Sequence, residues 1–481
     1  MKKHFGGVCR LLALVLTAAL LMGIVGAQAF AAGGNAGLTD AFWDYLTENA
    51  KKGVSSVDVS QFGVTYSDEV KKAISSFLFE ESVELFNVQA PVGYSIGNGT
   101  LVSVNLNFNC TVSEYQARLK KAEAAAADLL KGIKGNSALS DVQKALLLHD
   151  RLAVHCEYDR GVYTSAGPGV NARNIYGGLV ERCAVCDGYT KTYIYLLRQV
   201  GIKSVMNRSD ALNHSWNIVY IGGKPYHVDV TFDDPTHDKT GRVAHDNFLL
   251  SSAALYKTKH AASDYDTSPT DTRYDNYFWQ DSFASFVLAG GSIYYIDNIN
   301  CSLNRYDGRK LFALSEDWNG WYEVGKRNVF CMARLATDGT FLFYNDKRSV
   351  YKYDPSTGKT ETVFTPADGS GQKMILGMTW EKGKFICDFT DSLNNYSQGK
   401  KSFQVTKDYA GVAPAVLPGD VNGDNKVGSD DARLALRASV GLENIKKGAA
   451  AFTAADVTKD GKIGSDDARL ILRASVGLEK L

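Results

Sequence analysis

Apolar positions recur at helical spacing from Cys186 onward: Tyr189, Tyr193, Leu196, Leu197 and Val200 share one face, and Gly201 stands where a C′ glycine ends a helix. The period then changes. HSWNIVYI and KPYHVDVTF, between His214 and Phe232, are rich in β-branched and aromatic residues. Gly222-Gly223 between them predicts a two-residue hairpin turn. Upstream, the pattern predicts helices over 40–52 and 66–79 and strands over VELFNV and LVSVNLNFN. A long alanine-rich helix follows, opened by a capping box of Ser113 with Gln116 and ending near Gly135. A second capping box, Ser140 with Gln143, opens a helix with Val142, Leu146, His149, Leu152 and Ala153 on one face. His149 and His155 fall here, and buried or helix-capping roles suit them better than catalysis.

From about Tyr274 the pattern becomes short strands and turns. GSIYY at Gly291, GTFLFY at Gly339 and GKFIC at Gly383 recur 44 to 48 residues apart, each followed by a second strand. That period predicts propeller-like blades, although three are too few to close a ring and a β-sandwich fits nearly as well. Tyr294, Tyr295, Trp318 and Trp321 could line a ligand surface, with core packing the simpler role. Beyond a short apolar stretch at 411–418, the tail repeats itself: GDVNGDNKVGSDDARLALRASVGLE, then ADVTKDGKIGSDDARLILRASVGLE. Each copy is a loop with oxygen ligands at positions 1, 3, 5, 7 and 12 and then an amphipathic helix. This is the spacing by which one loop wraps one Ca2+. The first loop offers Asp420, Asn422, Asp424, the Lys426 carbonyl and Asp431; the second offers Asp456, Thr458, Asp460, the Lys462 carbonyl and Asp467. Thr458 stands where Asn or Asp is usual, which predicts a weaker second site.

Composition changes the picture in three ways. At 481 residues the chain is expected to hold two to four domains. Lys+Arg and Asp+Glu both total 53, which gives no basis for nucleic-acid or acidic-membrane binding. Lys2, Lys3 and Arg10, the run LLALVLTAALLMGIVG and the small residues near Ala31 predict a cleaved signal peptide over 1–31, hence secretion. Removing Cys9 with that peptide leaves seven cysteines, an odd number, so at least one thiol is free. Cys183-x-x-Cys186 could be a redox or metal pair, but no second CxxC or His pair accompanies it.

The chemistry converges on 183–235. Cys186 opens a helix, where unpaired N–H groups and the dipole favour a thiolate. With Gly222-Gly223 as the turn, Ile221 faces Lys224, so His214 faces Thr231 and Trp216 faces Asp229. His214 and Asp229 then share one face of the hairpin as diagonal neighbours, within reach of each other. Cys186, His214 and Asp229 thus form an expected nucleophile, base and orienter.

The same residues resemble the transglutaminase-like core of the papain-like cysteine enzymes. Cys186-Asp187-Gly188-Tyr189-Thr190, His214-Ser215-Trp216-Asn217 and Tyr226-His227-Val228-Asp229-Val230-Thr231-Phe232 match its three motifs, departing at Thr190, Ser215 and Phe232. LLLHDRLAVHCEYD and HDNFLL at 245–250 resemble the helix that leads in and the strand that closes that core. The resemblance implies amide-bond chemistry without a cofactor: most simply a peptidase, alternatively a cross-linking glutamyl transferase, with a non-catalytic binding protein as third reading. The tail is similar to a type I dockerin. This implies a cohesin module of a scaffoldin as partner, recognised through Ser429-Asp430, Ser465-Asp466, Arg433, Arg437, Arg469 and Arg473. It also implies membership of a cellulosome that breaks down polysaccharide. The expected organisation is a signal peptide (1–31), an α+β lead-in (37–135), a transglutaminase-like α+β core (136–262), a β-rich, propeller-like module (274–408), a linker (411–418) and an all-α calcium-binding dockerin (419–481). The expected partners are that cohesin and a protein or peptide substrate, with no nucleic acid and no membrane.

Overall fold

The computed structural model describes residues 38–234, 236, 239–262, 264–314, 322–324, 327–329, 331–365, 373–390, 403–409, 417–423, 426–447 and 450–481. The signal segment, most of the linker, Asp424, Trp318 and Trp321 lie outside the described residues. Among the described residues, no helix is long and apolar enough to cross a membrane.

The chain divides into two compact units, the first ending at Gln116. In it, helix α1 (Asp40–Lys51) is capped by Thr39, whose hydroxyl accepts the Phe42 N–H at 3.3 Å, and it buries Phe42, Trp43, Leu46 and Ala50. Strand β1 (Ser56–Asp58) and helix α2 (Asp68–Ser76), which runs on into a π-helical turn, precede a hairpin of β2 (Val88–Gly97) and β3 (Thr100–Phe108). The sheet order is β1-β3-β2. VELFNV is not a strand up to Val88. Its amides close turns (Leu85 N to Ser82 O at 2.8 Å, Val88 N to Leu85 O at 3.0 Å), and Val83, Leu85 and Phe86 are buried without a ladder. A short apolar run does not by itself distinguish these states. Helix α3 (Val112–Leu130) also starts earlier than expected. Thr111 and Glu114 form its capping pair, Glu114 N to Thr111 Oγ1 at 3.3 Å and Thr111 N to Glu114 Oε2 at 2.9 Å, in place of Ser113 and Gln116.

In the second unit, helix α4 (Asp141–His155) carries both halves of the Ser140–Gln143 capping box. Short parallel strands β4 (Glu157–Tyr158) and β5 (Cys183–Ala184) lead to helix α5 (Cys186–Arg198). Tyr193 ties α5 to α4 through a 2.8 Å bond from its hydroxyl to Ala145 O. An antiparallel sheet of β6 (Ser204–Ser209), β7 (His214–Ile221), β8 (Lys224–Val228) and β9 (Phe248–Leu250) packs against α5 in that order. Gly222 and Gly223 have φ of 57° and 80°, as a type I′ turn requires. Ile221 pairs with Lys224, but the ladder ends at Val228. Asp229 leaves the sheet and caps helix α6 (Val230–Asp233), so Thr231 and Phe232 are helical and neither pairs with β7. A second short helix, α7 (Ser252–Leu255), follows β9.

The β-rich region is three antiparallel meanders in series. The first is β10 (Val287–Ala289), β11 (Ser292–Asp297), β12 (Ser302–Arg305) and β13 (Lys310–Ala313). After a small hairpin of β14 (Tyr322–Val324) and β15 (Arg327–Val329) comes the second, β16 (Leu335–Thr337), β17 (Leu342–Asn345), β18 (Val350–Asp354) and β19 (Lys359–Phe364). The third is β20 (Met374–Glu381), β21 (Lys384–Thr390) and β22 (Phe403–Asp408). The recurring glycine motifs mark the turn between the first two strands of each meander. Tyr294 and Tyr295 are buried, not displayed. The tail is helical: α8 (Ser429–Ser439), α9 (Ala450–Ala455) and α10 (Ser465–Ser475) around Val421, Ala432, Ala435, Ala455, Ala468 and Ile471.

Candidate active site and calcium loops

Cys186 is the first residue of α5, with Val185 as its N-cap, so its N–H has no acceptor within the helix. Gly188 is required two residues on, because a Cβ there would meet Ala172 O at 2.3 Å. The 171–173 loop thereby presses on the first turn, and Ala172 O accepts the Val185 N–H at 2.9 Å. Ser215, next to His214 on β7, donates from Oγ to Asp187 Oδ1 at 2.8 Å and fastens the strand to the helix start. Asp187 is also paired with Arg173 at 3.0 Å.

These contacts bring Cys186, His214 and Asp229 together. His214 Nε2 lies 2.6 Å from Asp229 Oδ2, and the same imidazole faces the Cys186 thiol closely enough to act on it. Burial opposes ionisation of Cys186, but the hydrogen bond and charge of His214 outweigh it and hold the thiol below its ordinary range; the Ser215 N–H helps. Burial would lower His214, yet the Asp229 carboxylate and then the thiol raise it to about 10. Burial likewise opposes the Asp229 carboxylate, and the two imidazoles against it hold it well below the usual range. The three groups therefore favour a thiolate–imidazolium pair facing a carboxylate. Phe232 stacks on His214 at 4.4 Å and 20°, and Trp216 lies at 5.6 Å and 23°.

Asp229 reaches His214 by a route different from the expected diagonal pair. Its backbone is at the N-cap of α6, where Oδ1 accepts the Phe232 N–H at 3.1 Å and Oδ2 points to the imidazole. A second histidine, His260, reaches the same Oδ2 at 2.7 Å and was not singled out by sequence. It lies in a loop 31 residues past Asp229 with no motif around it. Cys183, on β5, has its thiol raised by burial and nearby acids. Among the described residues, the three clusters of acids and histidines whose ligand atoms lie within 4.8 Å of one another, two of them with histidines and one of aspartates alone, contain no cysteine.

One of those clusters is His149, Asp150 and His245, fully buried. His149 Nδ1 lies 2.8 Å from Asp150 Oδ1 and Nε2 3.2 Å from Asp233 Oδ2, while His245 Nε2 lies 3.0 Å from Asp150 Oδ1. The Phe286 N–H also donates to Asp150, at 2.6 Å, joining the first meander to α4. Burial lowers His149, but the two carboxylates raise it to about 9. Burial pushes Asp233 up; burial also opposes the Asp150 carboxylate, but His245 and His149 outweigh it and hold Asp150 down. The arrangement is an internal ion network at the C-terminal end of α6, whose N-cap is Asp229. Asp150→Ala is expected to cost about 3–5 kcal/mol by stranding buried imidazoles, read as a lower midpoint in urea unfolding of the full chain. An unchanged midpoint would show the network contributes nothing. His155 instead bonds Leu179 O at 2.8 Å through Nε2.

In the tail, Asp431 is buried and accepts Val421 N (2.8 Å), Asn422 N (2.9 Å) and Gly428 N (2.8 Å). Burial raises its carboxyl against the opposing backbone N–H groups of Gly428 and Asn422, with Asp430 and Asp420 adding smaller pushes in the same direction. Asp420 takes the Gly423 N–H at 2.8 Å. In the second loop Asp456 accepts Asp460 N (3.0 Å) and Gly461 N (2.9 Å), and Asp467 accepts Thr458 N (2.9 Å) and Gly464 N (2.8 Å). Carboxylate oxygens of Asp456, Asp460 and Asp467 lie within 4.8 Å of one another. Lys426 and Lys462 occupy position 7 with exposed side chains. Converging hard oxygen donors of one sign fit a divalent hard cation.

Residues 418–474 match the dockerin type I domain, and the C-terminal module is a dockerin. No curated protein matches the chain. Among solved structures, one of a TGase aligns with 13% identity over 35% of this chain and 48% of its own, at a TM-score of 0.22. A candidate cysteine protease from Cytophaga hutchinsonii aligns with 23% identity over 24% of this chain and 37% of its own, at a TM-score of 0.17. The chain thus spans less than half the length of either structure.

Proposed function

We propose that 136–262 is a transglutaminase-like cysteine enzyme acting on amide bonds, secreted and carried on a scaffoldin through the dockerin. The observation that carries this reading is His214, held between the Asp229 carboxylate at 2.6 Å and a thiol at a helix N-terminus. The Cys186 thiolate attacks the amide carbonyl carbon. The resulting oxyanion lies near the Cys186 N–H at the start of α5, which supplies part of its stabilisation. His214 gives its proton to the departing amine as the C–N bond breaks, leaving a thioester on Cys186. Asp229 keeps the imidazole oriented and favours its protonated form. Water then resolves the thioester, making the enzyme a peptidase. An amine acceptor would make it a cross-linking transferase instead.

The dockerin implies a cohesin module as partner. The repeats present matched exposed side chains, Leu436 with Leu472 and Val440 with Val476, so that either face fits the same partner. Asp420, Asn422, Asp424, the Lys426 carbonyl and Asp431, with Asp456, Thr458, Asp460, the Lys462 carbonyl and Asp467, would hold two calcium ions whose role is to brace the loops. The three meanders are read as blades of an incomplete propeller-like module.

Incubation with casein is expected to yield new N-termini, and a labelled amine to be left unincorporated. Incorporation without cleavage would make the transferase reading correct. Both activities should be absent in Cys186→Ala, and either one surviving there would sink the site assignment.

A further inference from the structure

We propose that His260 is a positioning residue of this site, acting on His214 through Asp229; the proposal rests on the Cys186–His214–Asp229 reading above. Two imidazoles converge on one oxygen atom: His214 Nε2 at 2.6 Å and His260 Nε2 at 2.7 Å from Asp229 Oδ2. The other oxygen, Oδ1, accepts the Phe232 N–H at 3.1 Å. With three hydrogen-bond partners on it the carboxylate has no free rotation, so the direction of its bond to His214 is fixed.

The segment after α7 is shaped to deliver this imidazole. Thr258 closes a turn onto Leu255 O, to which its Oγ1 donates at 2.6 Å, and the same Oγ1 lies 2.8 Å from His260 Nδ1, so both ring nitrogens are engaged. His260 is fully buried. Its ring shares the aromatic surroundings of His214, with Phe232 at 4.5 Å and Trp216 at 5.0 Å. A histidine carried only for packing in such a place needs no nitrogen on the oxygen that orients the base. Groups that orient a metal ligand from behind change affinity or activity by about 10–100-fold when removed, and a group that orients a base through its carboxylate is taken on the same scale. Without His260 the carboxylate can turn away from His214, and the imidazolium and thiolate both lose support.

The test uses the full chain and two variants. His260→Leu removes the donor; His260→Gln returns an N–H at the place of Nε2. Cys186 alkylation by iodoacetamide at neutral pH and casein turnover are measured for both. His260→Leu is expected to slow alkylation and kcat by about tenfold or more with KM within about threefold, and His260→Gln to recover most of the loss. Equal rates in wild type and His260→Leu, or no recovery in a folded His260→Gln, would overturn the proposal. If His260→Leu does not fold, histidine-labelled wild-type protein still decides. A slowly exchanging imidazole N–H that disappears in His260→Gln while those of the other buried histidines stay supports it, and a set of imidazole protons unchanged in His260→Gln overturns it. Full activity in Cys186→Ala would instead remove the parent reading, a failure these variants do not mimic.

Discussion

Replacing His214 with Ala is expected to slow iodoacetamide alkylation of Cys186 at pH 7 by an order of magnitude or more. In the wild type the thiol lies below its ordinary range because His214 outweighs burial. Without the imidazole, burial is the largest influence left and acts in the opposite direction, so the thiol should titrate above its ordinary range. Below the midpoint each unit of displacement is about tenfold in thiolate. Alkylation followed by mass spectrometry from pH 5 to 10 gives both midpoints, and coincident profiles would refute the thiolate–imidazolium pair. Stability carries the same signature. His214 is raised to about 10 from an unfolded value near 6.5, so its contribution is complete below about pH 6.5 and fades as pH rises through about 10. Asp229 is lowered, so its contribution is present above about pH 4 and is lost as pH falls through the folded value. The pair therefore stabilises most between about pH 4 and 6.5. His149, raised to about 9, adds to the alkaline decline. Melting temperatures should fall from pH 6.5 to 10, and less steeply in His214→Ala.

Chelation with EDTA is expected to unfold 419–481 and abolish cohesin binding. The hydrophobic core there is small, built largely of alanines with Val421 and Ile471, and little of it opposes the repulsion within each loop. Calcium bound at about a hundred times its dissociation constant would contribute about 2.7 kcal/mol per site, comparable to the whole stability of so small a core. Asp467→Ala removes the buried carboxylate that accepts both Thr458 N and Gly464 N, and should lose the second site with the turn it closes. Thr458→Asp should tighten that site. Circular dichroism and calorimetric calcium titration of the full chain check all three. A helical signal unchanged by EDTA would count against the calcium loops.

Several of these groups were legible because their signals are local. The helical period from Tyr189 to Val200 with Gly201 describes α5, and Gly222-Gly223 sets Ile221 against Lys224. The tail needs only a spacing within each copy, since a metal loop closes on neighbours in the chain. Other signals were local but misread: Thr111 with Glu114 and Ser113 with Gln116 both fit a cap, and only the hydrogen bonds separate them.

Elements whose causes lie within a turn or a repeat follow from the chain alone: the helix that begins at Cys186, the strand that begins at His214, and the ligand spacing of the tail. How Asp229 meets His214 depends on packing that brings distant segments together. The Asp229 side chain took the Phe232 N–H, ending the ladder at Val228, and a side-chain bond to backbone competes with strand pairing without altering the alternation of residues. The places of His260 and the His149–Asp150–His245 network depend on packing too. Their partners are brought near by packing of segments far apart in the chain, and hydrophobic periodicity carries no record of which polar groups such packing will place face to face.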